Sequence, residues 1–164
     1  AQGRHHIVRD VLQPAINDKT LRVSGYVCPV PAWNIQSVRS YYSFNMDMLD
    51  SALRARLFDP ALPVYTKVRD DMPARFGPEA NVSGSLIANG ANIEGTVTGS
   101  VIFRGVKVAK GAVVRNSIVM QDAVIGENAD LDHCIIDKNG TIRAGGRLIG
   151  PETYPIVISK NVTI

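Results

Sequence analysis

The sequence predicts a mainly β chain: a left-handed parallel β-helix, the solenoid of hexapeptide repeats, preceded by a small α/β segment. Three observations carry this. From Val82 an aliphatic residue returns at steps of five or six, through Ile87, Ile93, Ile102, Val108, Val113, Val119, Ile125, Leu131, Ile136 and Ile142. Glycine follows that repeat, with only 2 of the 14 before residue 77. Aromatic residues do the reverse, and Phe103 and Tyr154 alone lie beyond residue 77. A period near six fits neither a helix at 3.6 nor a single strand at 2. It fits short strands joined by corners, three to a coil, each turning one aliphatic side chain inward.

Taken in order, His6–Leu12 places Ile7, Val8, Val11 and Leu12 at helical spacing, and Pro14 limits how far that helix continues. Leu21–Val27 alternates apolar and polar, the pattern of a half-buried strand. Ser37 caps a helix expected to run to about Leu57, with Val38, Tyr41, Tyr42, Met46, Leu49 and Leu53 on one face. Four prolines between Pro60 and Pro78 mark a connector, and none follows until Pro151. The expected organisation is therefore 1–57, an α/β remnant; 58–76, a linker; and 77–164, the β-helix. Within the repeat, small residues are expected at corners, where Gly and Asn tolerate positive φ. The step from Ile93 to Ile102 is irregular, with Val97 as an intermediate, so one corner there departs from the pattern. Left-handed coiling is expected from the short period, against the usual crossover rule. A sandwich of short strands is the alternative, but its turns come every 8–12 residues or so.

The 164 residues carry 18 Lys+Arg, 15 Asp+Glu and 45% apolar residues, a globular composition. No apolar run approaches the roughly 18 residues of a membrane span. The opening residues hold no apolar core of a signal peptide, and the start at Ala1 instead of Met predicts a portion of a longer protein. Cys28 and Cys134 match no zinc or redox spacing, which points to a reduced, cytoplasmic setting. The repeat half is neutral and poor in aromatics, which argues against nucleic acid as a partner.

Several chemistries use such a solenoid. A zinc site of three histidines fails, because only His133 lies in the repeat. A hexapeptide acyltransferase would use a histidine as general base, and His133 is the one candidate. Arg104, Lys107, Lys110 and Arg115 fall within one acid-free stretch, a candidate effector or anion site. A solvated solenoid face accounts for them better, because Asp122, Glu127 and Asp130 nearby dilute the field.

Trp33–Tyr42 followed by Asn45–Leu49 resembles the end of the catalytic domain in the glucose-1-phosphate adenylyltransferase (ADP-glucose pyrophosphorylase) family. Pro63–Thr66, Ser85–Ile87, Ser100–Gly105, Ser117–Met120 and Ile135–Lys138 resemble, in order, that family's linker and solenoid. The resemblance implies the C-terminal portion of a subunit that makes ADP-glucose for glycogen synthesis, the 1–57 segment being a remnant of its nucleotidyltransferase domain. The family's glycine-rich nucleotide loop is absent from these residues. Where the family places a metal-holding Asp, then Gly and Thr, this chain has Asn34, Gln36 and Ser37. A neutral amide is a poorer magnesium ligand than a carboxylate. The departure resembles the regulatory GlgD-type subunit, which implies no catalytic and no metal-binding residue here. Mg and ATP are then expected only for a catalytic partner or the N-terminal domain. The resemblance further implies a hetero-tetramer with a homologous catalytic subunit, self-association through the β-helix, and a sugar-phosphate effector. Other sugar-phosphate nucleotidyltransferases, such as mannose-1-phosphate guanylyltransferases, carry similar solenoids and remain open.

Overall fold

The computed structural model describes residues 3, 5–19, 22–28, 32–66 and 69–164. Contacts divide the chain into two compact units, Ala1–Pro31 and Ala32–Ile164. The expected division after residue 57 thus compares with one after Pro31, and helices from the middle of the chain share a unit with the solenoid.

In the first unit a π-helical turn, Val8–Leu12, runs directly into α1, Gln13–Asn17. The helix passes through Pro14, contrary to the expectation that it would limit it. Proline offers no N–H and crowds the carbonyl four residues back. The wider π-turn, in which the Gln13 N–H reaches the Val8 carbonyl, accommodates it. The strand expected over Leu21–Val27 does not form: Leu21 lies outside the described residues, and 22–28 carry no strand. A strand needs a neighbour to complete its hydrogen bonds, and this unit contains none among its described residues. Tyr26 and Val27 are accordingly 83% and 90% exposed.

The helix expected from Ser37 to Leu57 is two helices, α2 (Val38–Asp47) and α3 (Ser51–Leu57). Asp50 makes the break, because its carboxylate accepts the Ala52 N–H at 2.8 Å as a new N-cap.

From Arg75 the chain winds into a three-sided parallel β-solenoid. The first face stacks Arg75–Phe76, Asn92–Ile93, Lys107–Val108, Val124–Ile125 and Thr141–Ile142. The second stacks Asn81–Ser83, Thr96–Thr98, Val113–Arg115, Asp130–Asp132 and Arg147–Ile149. The third stacks Leu86–Ile87, Val101–Ile102, Ile118–Val119, Cys134–Ile136 and Ile156–Ile158. Ile93, Val97, Ile102, Val108, Val119, Ile125, Leu131, Ile136 and Ile142 fill the bore and are almost wholly buried. One rung differs from expectation: Val114, not Val113, points inward. Both residues are apolar, so alternation alone could not choose between them.

Register explains the irregular step. Val108 pairs with Ile125 and Ile125 with Ile142, whereas Val108 lies only 15 residues after its partner Ile93. The deficit falls between Ile93 and Val97, at Glu94-Gly95. Gly95 is required there, since a Cβ on it would lie 2.3 Å from the Ala112 carbonyl oxygen. The last coil departs the other way: Leu148 to Ile158 is ten residues where Leu131 to Ile136 is five. The extra residues form a loop around Pro151–Tyr154.

Corners between the second and third faces repeat a left-handed residue, Gly84, Gly99, Asn116 and His133, the last two at φ 43° and 50°. Asn and His are enriched in this region among non-glycine residues. One residue on, hydroxyls form a ladder: Ser85 Oγ accepts the Ser100 N–H at 3.0 Å, Ser100 Oγ that of Ser117 at 3.1 Å, and Ser117 Oγ that of Cys134 at 3.0 Å.

The third face is apolar on its outside as well. Leu86, Val101, Ile118, Ile135 and Val157 are in register there. The equivalent column on the second face reads Asn81, Thr96, Val113, Asp130 and Arg147. No helix among the described residues is long and apolar enough to cross a membrane.

Candidate functional site

Helix α2 is the element that joins the 32–37 segment to the solenoid. Its start is fixed by a capping box: Ser37 Oγ accepts the Ser40 N–H, and Ser40 Oγ accepts the Ser37 N–H, both at 3.0 Å. Trp33 packs edge-on to Phe44 at 4.9 Å and donates from Nε1 to Asp47 Oδ2 at 3.2 Å. The apolar face of α2 then lies on the third face of the solenoid. Tyr42 packs with Ile118 and Ile135, flanked by Val38, Tyr41, Met46, Phe103 and Met120.

Tyr42 anchors this seat. Its hydroxyl donates to the Asn116 carbonyl at 2.5 Å, at one of the left-handed corners. Burial, with the negative charges of Asp132, Cys134 and Glu152 adding to it, pushes its phenol up to about 12. Beneath it lies a polar network. Asn116 Nδ2 donates to Asp132 Oδ1 at 3.1 Å, Arg115 donates to Asp132 at 3.2 Å and to Asp130 at 2.7 Å, and His133 Nδ1 contacts Asp132 Oδ1 at 2.7 Å. Burial alone would raise the Asp132 carboxyl, but hydrogen bonds from Asn116 and Arg115 outweigh it and hold it below the ordinary value. Arg115 is in turn held above the usual guanidinium value by its bond to Asp132.

His133, the candidate general base, is therefore a corner residue 20% exposed, with its ring 6.3 Å from that of Tyr42. Its neighbours are structural groups of the helix seat.

The four candidate effector cations are dispersed around the prism. Arg104, at a corner, lies 3.6 Å from Asp71; Lys107 is an exposed residue of the first face; Lys110 pairs with Glu79 at 2.8 Å; Arg115 belongs to the second face and the network above. Sequence proximity did not translate into one cluster, because consecutive sides of the coil face in different directions.

Asn34, Gln36 and Ser37 lie on the approach to α2. The Gln36 N–H donates to Ser40 Oγ at 3.1 Å, and the Ser37 hydroxyl is committed to the helix cap. These donors are neutral and partly engaged, so they do not fit a magnesium ion, which favours carboxylate oxygens. Among the described residues no group of three or more His, Cys, Asp or Glu is arranged to hold a metal. The same segment borders a groove of about 350 Å³ against the third face, where Gln36, Ser37 and Tyr41 meet Met120, Ile135, Asp137 and Val157. Burial, reinforced by the Asp137 charge and opposed by Asn45, raises the Tyr41 phenol.

A second cleft, of about 460 Å³, lies between α2 and the inserted loop. Arg39, Tyr42, Ser43, Met46 and Asp47 form one wall and Glu152 and Thr153 of the inserted loop the other. Sequence reading missed both cavities, since neither has a motif. The apolar doublets Leu86-Ile87, Val101-Ile102, Ile118-Val119 and Ile135-Ile136 were an available signal of the two-sided third face that the spacing of single aliphatics did not use.

Comparison with known proteins agrees with this architecture. The chain is 36% identical over 137 residues to a glucose-1-phosphate adenylyltransferase of Acetivibrio thermocellus, covering 80% of this chain and 32% of that protein. It is 37% identical over 128 residues to the glycogen biosynthesis protein GlgD of Bacillus subtilis, covering 78% of this chain and 37% of the relative. Against GlgD of Geobacillus stearothermophilus the identity is 54% over 70 residues, 43% of this chain and 20% of the relative. The chain thus spans well under half the length of these relatives. Residues 72–153 match the family described as GlmU-like, C-terminal hexapeptide, and that span holds nearly all of the stacked rungs. With three parallel faces wound about one aliphatic bore, the chain belongs to the GlmU-like C-terminal hexapeptide family.

Proposed function

We propose that this chain is the C-terminal β-helix portion of a GlgD-type, glucose-1-phosphate adenylyltransferase-like subunit of glycogen biosynthesis, acting in the cytoplasm in assembly and allosteric control. The chain itself carries no chemistry. The observation that supports this most is the seat of α2. The 34–37 segment, which resembles the family's metal and sugar-phosphate segment, has neutral donors, and its Ser37 caps a helix held on the solenoid by Tyr42. Such a helix couples the solenoid to the segment that in catalytic relatives would meet substrate. Magnesium and ATP belong to the catalytic partner or to the N-terminal domain. A homologous catalytic subunit in a mixed tetramer, self-association through the solenoid, and a sugar-phosphate effector are the partners this reading implies.

The test is reconstitution. The full-length subunit, a catalytic homologue from the same organism, and their mixture are assayed for ADP-glucose formation. Co-elution of the two, with a rate above that of the catalytic subunit alone and none from this subunit alone, is expected. Full activity of this subunit alone, or separate elution without stimulation, would overturn the reading.

A further inference from the structure

The cleft between α2 and the Pro151–Tyr154 loop has no part in the reading above. Its wall exists only because the last coil carries five residues more than the coil before it. Insertions in a solenoid gather on one face as loops, often the binding face. At about 460 Å³ the cleft lies within the size range of small-ligand sites.

The lining is of mixed polarity. Arg39 supplies a guanidinium, Asp47 and Glu152 carboxylates, and Ser43 and Thr153 hydroxyls, while Tyr42 and Met46 add apolar surface. The side chains of Arg39, Ser43, Glu152 and Thr153 form no hydrogen bond or ion pair with another described residue. Asp47 uses one oxygen on Trp33 and keeps the other. Donors and acceptors on both walls therefore remain open toward the same space.

This combination selects among ligands. A phosphate would meet two carboxylates for one guanidinium, and a cation would meet Arg39. A purely apolar ligand would leave five polar groups without partners, which is costly on desolvation. A sugar ring suits all of them: its hydroxyls donate to carboxylates, accept from guanidinium, and exchange bonds with Ser and Thr, while its C–H face meets Met46 and the exposed edge of the largely buried Tyr42.

We infer that the cleft between α2 and the Pro151–Tyr154 loop is a binding site for a neutral saccharide. The test uses the full-length subunit with maltotriose as probe, read by saturation-transfer NMR and calorimetry, beside E152Q, R39M and T153A variants. Saturable binding that weakens about tenfold or more in E152Q and R39M, with unchanged melting temperatures, is expected from losing a hydrogen bond to a charged group. T153A, which removes only a hydroxyl, should weaken it less and serves if either charge variant melts early. Absence of binding at millimolar maltotriose, or equal binding in all variants, overturns the inference. So does glucose 1-phosphate binding that R39M abolishes while maltotriose fails to compete.

Discussion

Substituting Gly95 by Ala tests whether the short corner is held by close backbone contact. The new Cβ would lie 2.3 Å from the Ala112 carbonyl oxygen and 2.8 Å from that of Ala109, both main-chain atoms that no rotamer can move. An ordinary carbon–oxygen contact needs roughly 1 Å more. The Ala112 carbonyl also accepts the Thr96 N–H at 2.8 Å, so separating the coils breaks a ladder bond. Overpacking at about 1–3 kcal/mol, with about 1 kcal/mol for the bond, gives a loss of about 2–4 kcal/mol. Gly145 is the control: its Cβ would meet nothing within 4 Å, but its φ is +71°. Gly145→Ala should therefore lose only the left-handed penalty, about 1–2 kcal/mol. In urea unfolding, with a slope of about 2 kcal/mol per molar, the Gly95→Ala midpoint should fall by about 1–2 M and the Gly145→Ala midpoint by about half that. A Gly95→Ala midpoint no lower than that of Gly145→Ala would refute the argument.

Tyr42→Phe removes the hydroxyl that donates to Asn116 and should destabilise by about 0.5–1.5 kcal/mol, while leaving the apolar contacts of α2 in place; thermal melts of the two proteins measure it. Asp132 is held below its ordinary pKa, so its contribution is complete above that ordinary value and disappears as pH falls through the folded one. The stability gap between the wild type and Asp132→Asn in urea titrations should then be largest near neutrality and close below about pH 4. Of the two thiols, Cys28 is exposed, whereas Cys134 is buried and pushed up to about 11. A colorimetric thiol reagent at pH 8 should modify one cysteine in the native chain and the second only after denaturant is added.

The bore was legible because a side chain inside a narrow prism has few alternatives: ten of the eleven spaced aliphatics, Val82 through Ile142 without Val113, turn toward it. The short coil showed as a missed beat at Val97, and the helix start at Ser37 showed through its hydroxyl. Other features depended on what lies across space. Asp50 could have signalled the helix break, since Asp before Ser51-Ala52 is a cap, but the continuing apolar spacing through Leu53 concealed it. The alternation of residues 21–27 suggested a strand, and pairing, not alternation, decides whether one forms. The run from Arg104 to Arg115 suggested one charge cluster, but a chain that turns a corner every few residues sends its neighbours to different faces. Both clefts arise where separate segments meet, α2 with the loop in one case and with the third face in the other, and no spacing along the chain encodes that.

The coil length also sets which lengths of insertion or deletion this architecture tolerates. Removing one whole 17-residue turn returns every later residue to the side it occupied before, so the serine ladder, the corner column and the helix seat keep their phase. Removing six advances everything downstream by one side, about a third of a revolution, and puts Val124 and Thr141 of the first face where Ile118 and Ile135 had received α2. Lengthening or shortening among related chains should therefore come in complete revolutions, or be confined to single corners such as those at Gly95 and Pro151, where the winding resumes in step.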